Sequence, residues 1–242
     1  MRYEYKFYVH KHKIPLLRNI ILTKLKLDDN INPELKYYTV RSIYLDSMDL
    51  KHYYEKVAGL KHRKKVRLRG YDFDPNSIVF FEVKRKFEEP GMKNRFSTNY
   101  YDALRMINER TITTDNEDLN KFFFQVMSYN LRPIVNVIYD REPYTEIHPT
   151  QNNLRITFDK NLRSVAYPKI DSLFIDDDIK PAMLDYFILE IKFDNFLPSW
   201  VRNMSESLSL KRESASKYVI CIDSHKSIVK QSRFAYFRAE QI

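Results

Sequence analysis

The sequence predicts an α+β protein built on a closed antiparallel β-barrel of about eight strands with flanking helices. Charged and apolar residues alternate with a period of two in several runs, and this period sends successive side chains to opposite faces of a strand. Helical patterns between the runs supply a second apolar layer. If those helices cover the outside of the barrel, the charged faces of the strands point into its lumen.

Two neighbouring strands, at 65–69 and 81–86, carry the strongest alternation. Their charged face holds Lys65, Arg67, Arg69, Glu82, Lys84 and Lys86, and their apolar face holds Val66, Leu68, Phe81 and Val83. The segment 70–77 between them is rich in residues that favour turns. These features predict an antiparallel pair with cations on one face.

The first predicted elements are a strand, a helix and a second strand. Residues 2–10 alternate weakly and end in an aromatic and β-branched run, which indicates a strand. Residues 13–27 have apolar side chains at helical spacing, with Pro15 near the first turn, where proline is tolerated. Residues 36–46 are β-branched and aromatic, which favours a strand.

The elements around the two basic strands follow from capping and turn residues. Ser47 is predicted to cap a helix that runs through Val57 and ends at Gly59. Glu, Pro and Gly at 89–91 predict a turn. A further strand is predicted at 92–97, where the alternation places its basic residues on one face.

The middle of the chain is predicted to be helical and then extended. Residues 100–130 have helical spacing in two pieces, split near 111–114, with Asp115 beginning the second piece. Residues 132–141 form a strongly β-forming run. Strands are also predicted at 153–159, which alternates, and at 161–166, which is short.

The last predicted elements are one strand and two helices. Residues 186–193 are mostly apolar and indicate a strand. Pro198 is predicted to open a helix, and the segment 214–221 favours a second one. The basic and aromatic residues from Lys226 onward are expected to pack loosely. Because no linker or internal repeat is present, residues 1–242 are predicted to form one domain.

Composition excludes several classes of protein. The 242 residues carry a net charge of +9, which favours an anionic partner. With only 3 glycines, the chain has no glycine-rich nucleotide-binding loop. A single cysteine, Cys221, excludes a disulfide framework and a thiolate zinc site. Because no signal peptide and no long apolar run occurs, a cytoplasmic protein without a membrane segment is expected.

A lumen lined with arginine and lysine requires a polyanion. Like charges repel in a confined site, and the burial of unpaired ions is costly. Arginine forms bidentate contacts with phosphate oxygens, and lysine supplies a point charge. Glu190, an acidic residue among cations, is expected to hold a divalent metal that bridges phosphates. The expected chemistry is phosphoryl transfer, because that reaction depends on positioning and charge neutralisation.

A series of short motifs, in order over nearly the whole chain, resembles the catalytic domain of the vacuolar transporter chaperone (VTC) polyphosphate polymerases, within the triphosphate tunnel metalloenzymes. The motifs are Glu4-Tyr5-Lys6-Phe7, Tyr44-Leu45-Asp46, Lys65-Val66-Arg67-Leu68-Arg69, Glu82-Val83-Lys84, Met92-Lys93-Asn94-Arg95-Phe96, Tyr139-Asp140-Arg141, Leu154-Arg155-Ile156, Leu189-Glu190-Ile191-Lys192, Pro198-Ser199-Trp200 and Ser216-Lys217-Tyr218. One departure is Arg2, which stands where the wider superfamily often has an acidic residue. This departure favours the polymerase branch.

The resemblance implies a metal-dependent enzyme that transfers the γ-phosphoryl group of ATP to phosphate or polyphosphate and releases ADP. It implies that the phosphates are bound by Arg67, Arg69, Lys84, Arg141 and Arg155, and that the chain path is lined by Lys6, Lys93, Lys192 and Lys217. Glu190 would hold Mn²⁺ or Mg²⁺. The expected partners are ATP and polyphosphate, and no nucleic acid is expected.

Two other functions fit the same cationic strands. One is a tunnel triphosphatase that hydrolyses tripolyphosphate or nucleoside triphosphates, with a water held by Glu4 or Glu82. The other is a barrel that binds polyphosphate or another polyanion without turnover. Product analysis separates the two enzymes, and the absence of turnover with every metal indicates the binding protein.

Overall fold

The computed structural model describes residues 2–29, 31, 34–71, 76–86, 92–109 and 115–239. Its strands are β1 (Arg2–His10), β2 (Leu25–Leu27), β3 (Tyr38–Asp46), β4 (Arg63–Gly70), β5 (Ile78–Lys86), β6 (Met92–Asn99), β7 (Arg132–Glu146), β8 (Arg155–Ala166), β9 (Lys180–Pro181) and β10 (Tyr186–Asp194). Its α-helices are α1 (Ile14–Leu22), α2 (Lys51–Val57), α3 (Tyr100–Glu109), α4 (Glu117–Ser128), α5 (Ser199–Ser207), α6 (Lys217–Asp223) and α7 (Lys226–Ala239). No helix in these residues has the length and apolar character needed to span a membrane.

The strands form one antiparallel sheet, in the order β1-β10-β8-β7-β3-β4-β5-β6. The short strands β2 and β9 pair with β7 and β8. The predicted α+β architecture is therefore confirmed. The predicted closure into a barrel is not, because β1 and β6 end the path of paired strands and no pairing joins them in the described part of the chain. A period-two pattern predicts strands and faces, but it contains no information on which edges meet.

The chain divides into two compact units, each assembled from separate segments. The first unit contains Met1–Thr39, Tyr139–Leu162 and Met183–Ser216, and the second contains Val40–Ile138, Arg163–Ala182 and Lys217–Ile242. The long strands β3, β7 and β8 contribute residues to both units. One domain over residues 1–242 remains a prediction.

The core of the first unit lies on the apolar face of β1, β8 and β10, under α1 and α5. It includes Phe7, Val9, Leu17, Ile21, Ile156, Phe158, Leu189, Ile191, Val201 and Met204. Leu17 and Ile21 lie one turn apart on α1 and are fully buried. Burial of each such side chain contributes about 1.5–3 kcal/mol. The helices therefore cover the apolar face, and the charged side chains of these strands lie on the opposite face.

The core of the second unit has the same arrangement, with α3 and α4 against β3, β4 and β5. It includes Ile43, Leu45, Val66, Leu68, Val79, Phe81, Val83, Ala103, Leu119, Phe122 and Phe123. Helix α4 begins after Asn116, whose side chain accepts hydrogen bonds from the backbone N–H groups of Asp118 and Leu119. Here too the charged side chains of the strands lie opposite the core.

Some element bounds differ from the predictions because pairing with a distant strand and the backbone conformation of single residues override the periodicity. The helix predicted at 13–27 ends at Leu22, and Leu25–Leu27 pair with β7 as a strand. The strands predicted at 153–159 and 161–166 form the single strand β8, which contains Asn161 at a φ of 51°. Asparagine tolerates this left-handed conformation, so the strand continues through it.

Other differences lie at helix starts and at the carboxyl end. Helix α2 begins at Lys51 with Leu50, not the predicted Ser47, at its N-cap, although the Ser47 hydroxyl accepts a hydrogen bond from the Lys51 N–H at 3.1 Å. Asn116, not Asp115, caps α4. The segment from Lys226, for which the sequence predicts loose packing, forms helix α7, and its Ile228 is fully buried. The turn at 89–91 and the break at 111–114 lie outside the described residues.

Candidate functional site

The second unit contains one buried carboxylate surrounded by four cations, which we name the Glu82 cluster. Its members are Glu82, Arg67, Arg69, Lys93 and Arg95. Strand register assembles it, because Glu82 on β5 lies opposite Arg67 on β4 and Arg95 on β6. Residues paired in this way point to the same face of a sheet. The alternation in the sequence therefore predicted the shared face correctly.

Both oxygens of Glu82 are engaged, and its side chain is fully buried. Arg67 donates from Nε to Oε2 at 2.6 Å, and Arg69 Nε lies 4.0 Å from the same oxygen. Lys93 Nζ and Arg95 Nε each lie 2.8 Å from Oε1. Glu82 thus holds the four cationic groups within one small volume.

One carboxylate does not balance these cations. Burial alone would raise the pKa of Glu82, but the charges of Arg67 and Arg69 outweigh burial and hold that pKa well below its usual range. Burial lowers the pKa of Lys93, and repulsion from Arg95 adds to the effect despite the ion pair with Glu82. An additional anion at this face would relieve the repulsion.

The excess of positive charge continues along the strands to Lys84. Its side chain is exposed, and its register partners are Lys65 on β4 and Lys93 on β6. Like charges directly opposite each other in a sheet are destabilising. Within the described residues of β4, β5 and β6, one carboxylate, that of Glu82, shares this face with cations that include Arg67, Arg69, Lys65, Lys84, Lys93 and Arg95.

Arg67 is also held by an aromatic pair that the sequence did not reveal as a support. Arg67 donates from Nη1 to the Tyr44 hydroxyl at 2.7 Å, and the Tyr44 ring stacks on Tyr218 at 4.7 Å between centroids. The Tyr218 hydroxyl donates to the buried Asp46. Burial would raise the pKa of Tyr44, but Arg67 and, more weakly, Lys217 lower it. Lys217, the first residue of α6, directly precedes Tyr218, whose ring stacks on Tyr44.

The first unit contains a second cluster, the Glu190 cluster, made of Glu190, Glu4, Lys6 and Lys192. In the register of β1 and β10, Lys6 lies opposite Glu190 and Glu4 lies opposite Lys192. Lys192 Nζ lies 2.5 Å from Glu190 Oε1, and Lys6 Nζ lies 3.5 Å from Oε2. Burial would lower the pKa of Lys6, but Glu190 and Glu4 raise it above its usual range. Lys6 therefore stays charged.

The two predicted arginines of the first unit already have carboxylate partners. Arg141 donates from Nε and Nη2 to the two oxygens of Asp159, at 2.7 and 2.9 Å. Arg155 donates from Nη2 to Asp28 at 3.1 Å and keeps 37% of its side chain exposed. A phosphate group would therefore share these arginines with their carboxylates.

A divalent metal fits the Glu190 cluster only in combination with phosphate oxygens. No group of three or more histidine, cysteine or acidic side chains is placed to hold a metal within the described residues. Thr157, opposite Glu190 in the register, has a buried hydroxyl without a hydrogen-bond partner among those residues. Magnesium is commonly bound by one or two carboxylates together with substrate phosphates. Glu190 and Glu4 fit that mode.

Another buried carboxylate, Glu142, lies in the first unit and was not singled out by any sequence pattern. Arg18 on α1 donates to its two oxygens at 2.8 and 2.9 Å, and Lys160 on β8 donates at 2.5 Å. Burial would raise the pKa of Glu142, but hydrogen bonds from Arg18, Lys160 and Tyr144 lower it to about 2. The network fixes α1 to the sheet through residues that are far apart in sequence.

This network predicts a defined acid sensitivity. Because folding lowers the pKa of Glu142, its stabilisation is complete above the usual glutamate pKa of about 4.3 and is lost as the pH falls towards 2. Its contribution at neutral pH is on the order of 3 kcal/mol. Urea unfolding of wild type and Glu142→Gln from pH 6 to pH 3 should show a stability difference that shrinks with acid. A difference independent of pH would contradict the assignment.

Comparison with solved structures identifies proteins of similar fold. One is a candidate adenylate cyclase from Bacillus halodurans, with a TM-score of 0.52 and 13% identity over 88% of this chain and 92% of that chain. Another is the PH1819 protein from Pyrococcus horikoshii OT3, with a TM-score of 0.48 and 13% identity over 93% of this chain and 100% of that chain. No curated protein matches the sequence.

The comparison with family models is more specific than the comparison with solved structures. The model of the VTC domain matches residues 1–226. This range contains both clusters and the ordered motifs of the sequence, including Lys217 near its end. Because the match covers nearly the whole chain, the protein belongs to the VTC-domain family.

Proposed function

We propose that this chain is a metal-dependent polyphosphate polymerase that transfers the γ-phosphoryl group of ATP to phosphate or polyphosphate. The observation that carries the proposal is the excess of cations over carboxylates around Glu82. Such a face favours a ligand with several closely spaced negative charges. Membership of the VTC-domain family supports a polyphosphate-related substrate.

The reaction needs no protein nucleophile. An oxygen of the acceptor phosphate attacks the γ-phosphorus, the bond from that phosphorus to the β,γ-bridging oxygen breaks, and ADP leaves with the electron pair. Catalysis then consists of positioning and of charge neutralisation. We assign this role to Arg67 and Arg69, and the support for it is that Glu82, Tyr44 and Ser42 orient their guanidinium groups.

The remaining cations receive supporting roles in the proposal. We assign Lys84, Arg141 and Arg155 to the phosphates of the nucleotide, and Lys6, Lys93, Lys192 and Lys217 to the growing chain. Glu190, with Glu4, would hold Mn²⁺ or Mg²⁺, which supplies charge neutralisation at phosphate oxygens. Hydrolysis with Glu82 as the base is disfavoured, because its ion pairs hold its pKa low and its carboxylate is already saturated with donors.

The proposal is tested by incubating the purified chain with ATP and Mn²⁺ and separating the products by length. We expect long-chain polyphosphate and ADP, and loss of both when the metal is chelated. Lys84→Ala should lower the rate about tenfold, as expected when one charge-assisted contact is removed. Lys84 is exposed, so this change should leave stability unaffected.

The matched control is Lys121→Ala on α4, which removes a lysine paired with Glu117. Its rate should stay within twofold of wild type. Orthophosphate as the only phosphate product would identify a triphosphatase instead. Salt-dependent binding of polyphosphate without turnover in any metal would identify a polyanion-binding protein.

A further inference from the structure

Phe80 is an aromatic residue on the face of the sheet that carries the Glu82 cluster. In the register of β4, β5 and β6 it lies opposite Arg69 and Ser97, on the face that also carries Glu82 and Lys84. It is half-buried. The core of this unit lies on the opposite face of the sheet, so Phe80 is not part of that core.

Arg95 lies directly over this ring. Its guanidinium carbon is 4.0 Å from the centroid of Phe80, which is the distance of a stacked cation–π contact. Glu82 holds the same group by accepting from Nε at 2.8 Å, and the Tyr71 hydroxyl lies 3.5 Å from Nη2. Tyr71 in turn meets Phe80 edge to face, with the ring centroids 5.8 Å apart. The guanidinium plane is therefore fixed on several sides.

Lys93 provides an internal comparison for Arg95. Both residues lie on β6, both approach Glu82 Oε1 to 2.8 Å, and their side chains are 39% and 37% exposed. Both residues therefore neutralise the charge of Glu82 in the same way. Arg95 differs from Lys93 in its planar guanidinium group and in the Phe80 ring that lies against this group. A contact with phosphate alone requires neither.

We propose that Arg95, backed by Phe80 and held by Tyr71, is a stacking platform for the base of a nucleoside triphosphate whose phosphates bind the other cations of the Glu82 cluster. This inference rests on the proposed function and adds the recognition of the nucleoside. Guanidinium planes stack on nucleobases, and every base has a π-face. The platform should therefore accept a purine with little dependence on its identity.

The test compares binding of ATP and of inorganic tripolyphosphate by calorimetry in the presence of Mg²⁺. For wild type, we expect ATP to bind more tightly than tripolyphosphate. Arg95→Lys keeps the charge and removes the plane, and it should reduce the preference for ATP over tripolyphosphate about tenfold, as for one lost stacked base. Phe80→Leu should change the preference in the same direction. Lys93→Ala is the control, and it should weaken both ligands by the same factor.

Each outcome separates the two proposals. If wild type binds both ligands equally, or if Arg95→Lys leaves the preference for ATP unchanged, the stacking proposal is contradicted and the proposed phosphate site is not. If Arg95→Lys weakens both ligands equally, Arg95 acts only on phosphate and the platform is also wrong. If wild type binds neither ligand, the proposed function itself fails. Thermal unfolding of each variant confirms that it is folded.

Discussion

Replacing Arg67 by alanine should reduce polyphosphate synthesis by about 10²–10³-fold, the range seen when one preorganised electrostatic donor is removed. Arg67 is placed by contacts on two sides, with Glu82 at 2.6 Å and the Tyr44 hydroxyl at 2.7 Å. A guanidinium that is already oriented needs little reorganisation when charge develops on the transferring phosphoryl group. The measurement is the initial rate of ADP release at saturating ATP and metal.

Two further measurements show whether this loss is catalytic. Arg67→Lys keeps the charge but removes the planar fork, so its rate should fall between those of wild type and Arg67→Ala. Arg67→Ala removes a largely buried partner of Glu82 but leaves that carboxylate with Arg69, Lys93 and Arg95, so its loss of stability should be smaller than that of Glu82→Gln. Activity above half of the wild-type rate in folded Arg67→Ala would contradict the role of this residue.

Replacing Glu82 by glutamine should cost about 3–5 kcal/mol of stability, as expected when one partner of a buried ion pair is removed. The substitution keeps the shape of the side chain but leaves Arg67, Arg69, Lys93 and Arg95 without their shared carboxylate. Repulsion among these cations then acts on the folded state alone. Urea unfolding at neutral pH measures the free energy of unfolding of both proteins.

Polyanion should partly rescue this variant. Tripolyphosphate would supply the missing negative charge, and a ligand that binds only the folded state stabilises it by mass action. The rescue in Glu82→Gln should exceed the stabilisation of wild type by the same concentration. The control is Glu117→Gln on α4, whose side chain is 81% exposed and which should lose no more than about 0.5 kcal/mol. A stability of Glu82→Gln equal to that of wild type would contradict the electrostatic account.

The alternation of charged and apolar residues predicted much of the candidate site. It placed Arg67, Arg69, Glu82 and Lys84 on one face, and the pairing of β4 with β5 confirms that placement. It could not show that Glu82 contacts Lys93 and Arg95, because that contact depends on the register of β5 with β6. For the same reason, the partners of Arg141 and Arg155 were not foreseen.

Contacts between distant segments were not foreseen, even where the residues themselves lie in motifs. Tyr218 stacks on Tyr44 and donates to Asp46, which is 172 residues away, and Arg18 reaches Glu142 across 124 residues. Such pairs leave no periodic signal, because either member alone is an ordinary residue of a helix or strand. Phe80 could have been found earlier, since it occupies a charged position of the alternation and is apolar.

The sequence by itself determined most of the strands, their two faces and the assignment to a family. These properties follow from a period of two and from ordered local motifs, and both are local along the chain. Only the tertiary structure decided which cations share a carboxylate, which arginine lies over an aromatic ring, and that β1 and β6 end the sheet within the described residues. Those properties depend on register and side-chain packing between distant segments, and local periodicity does not encode them.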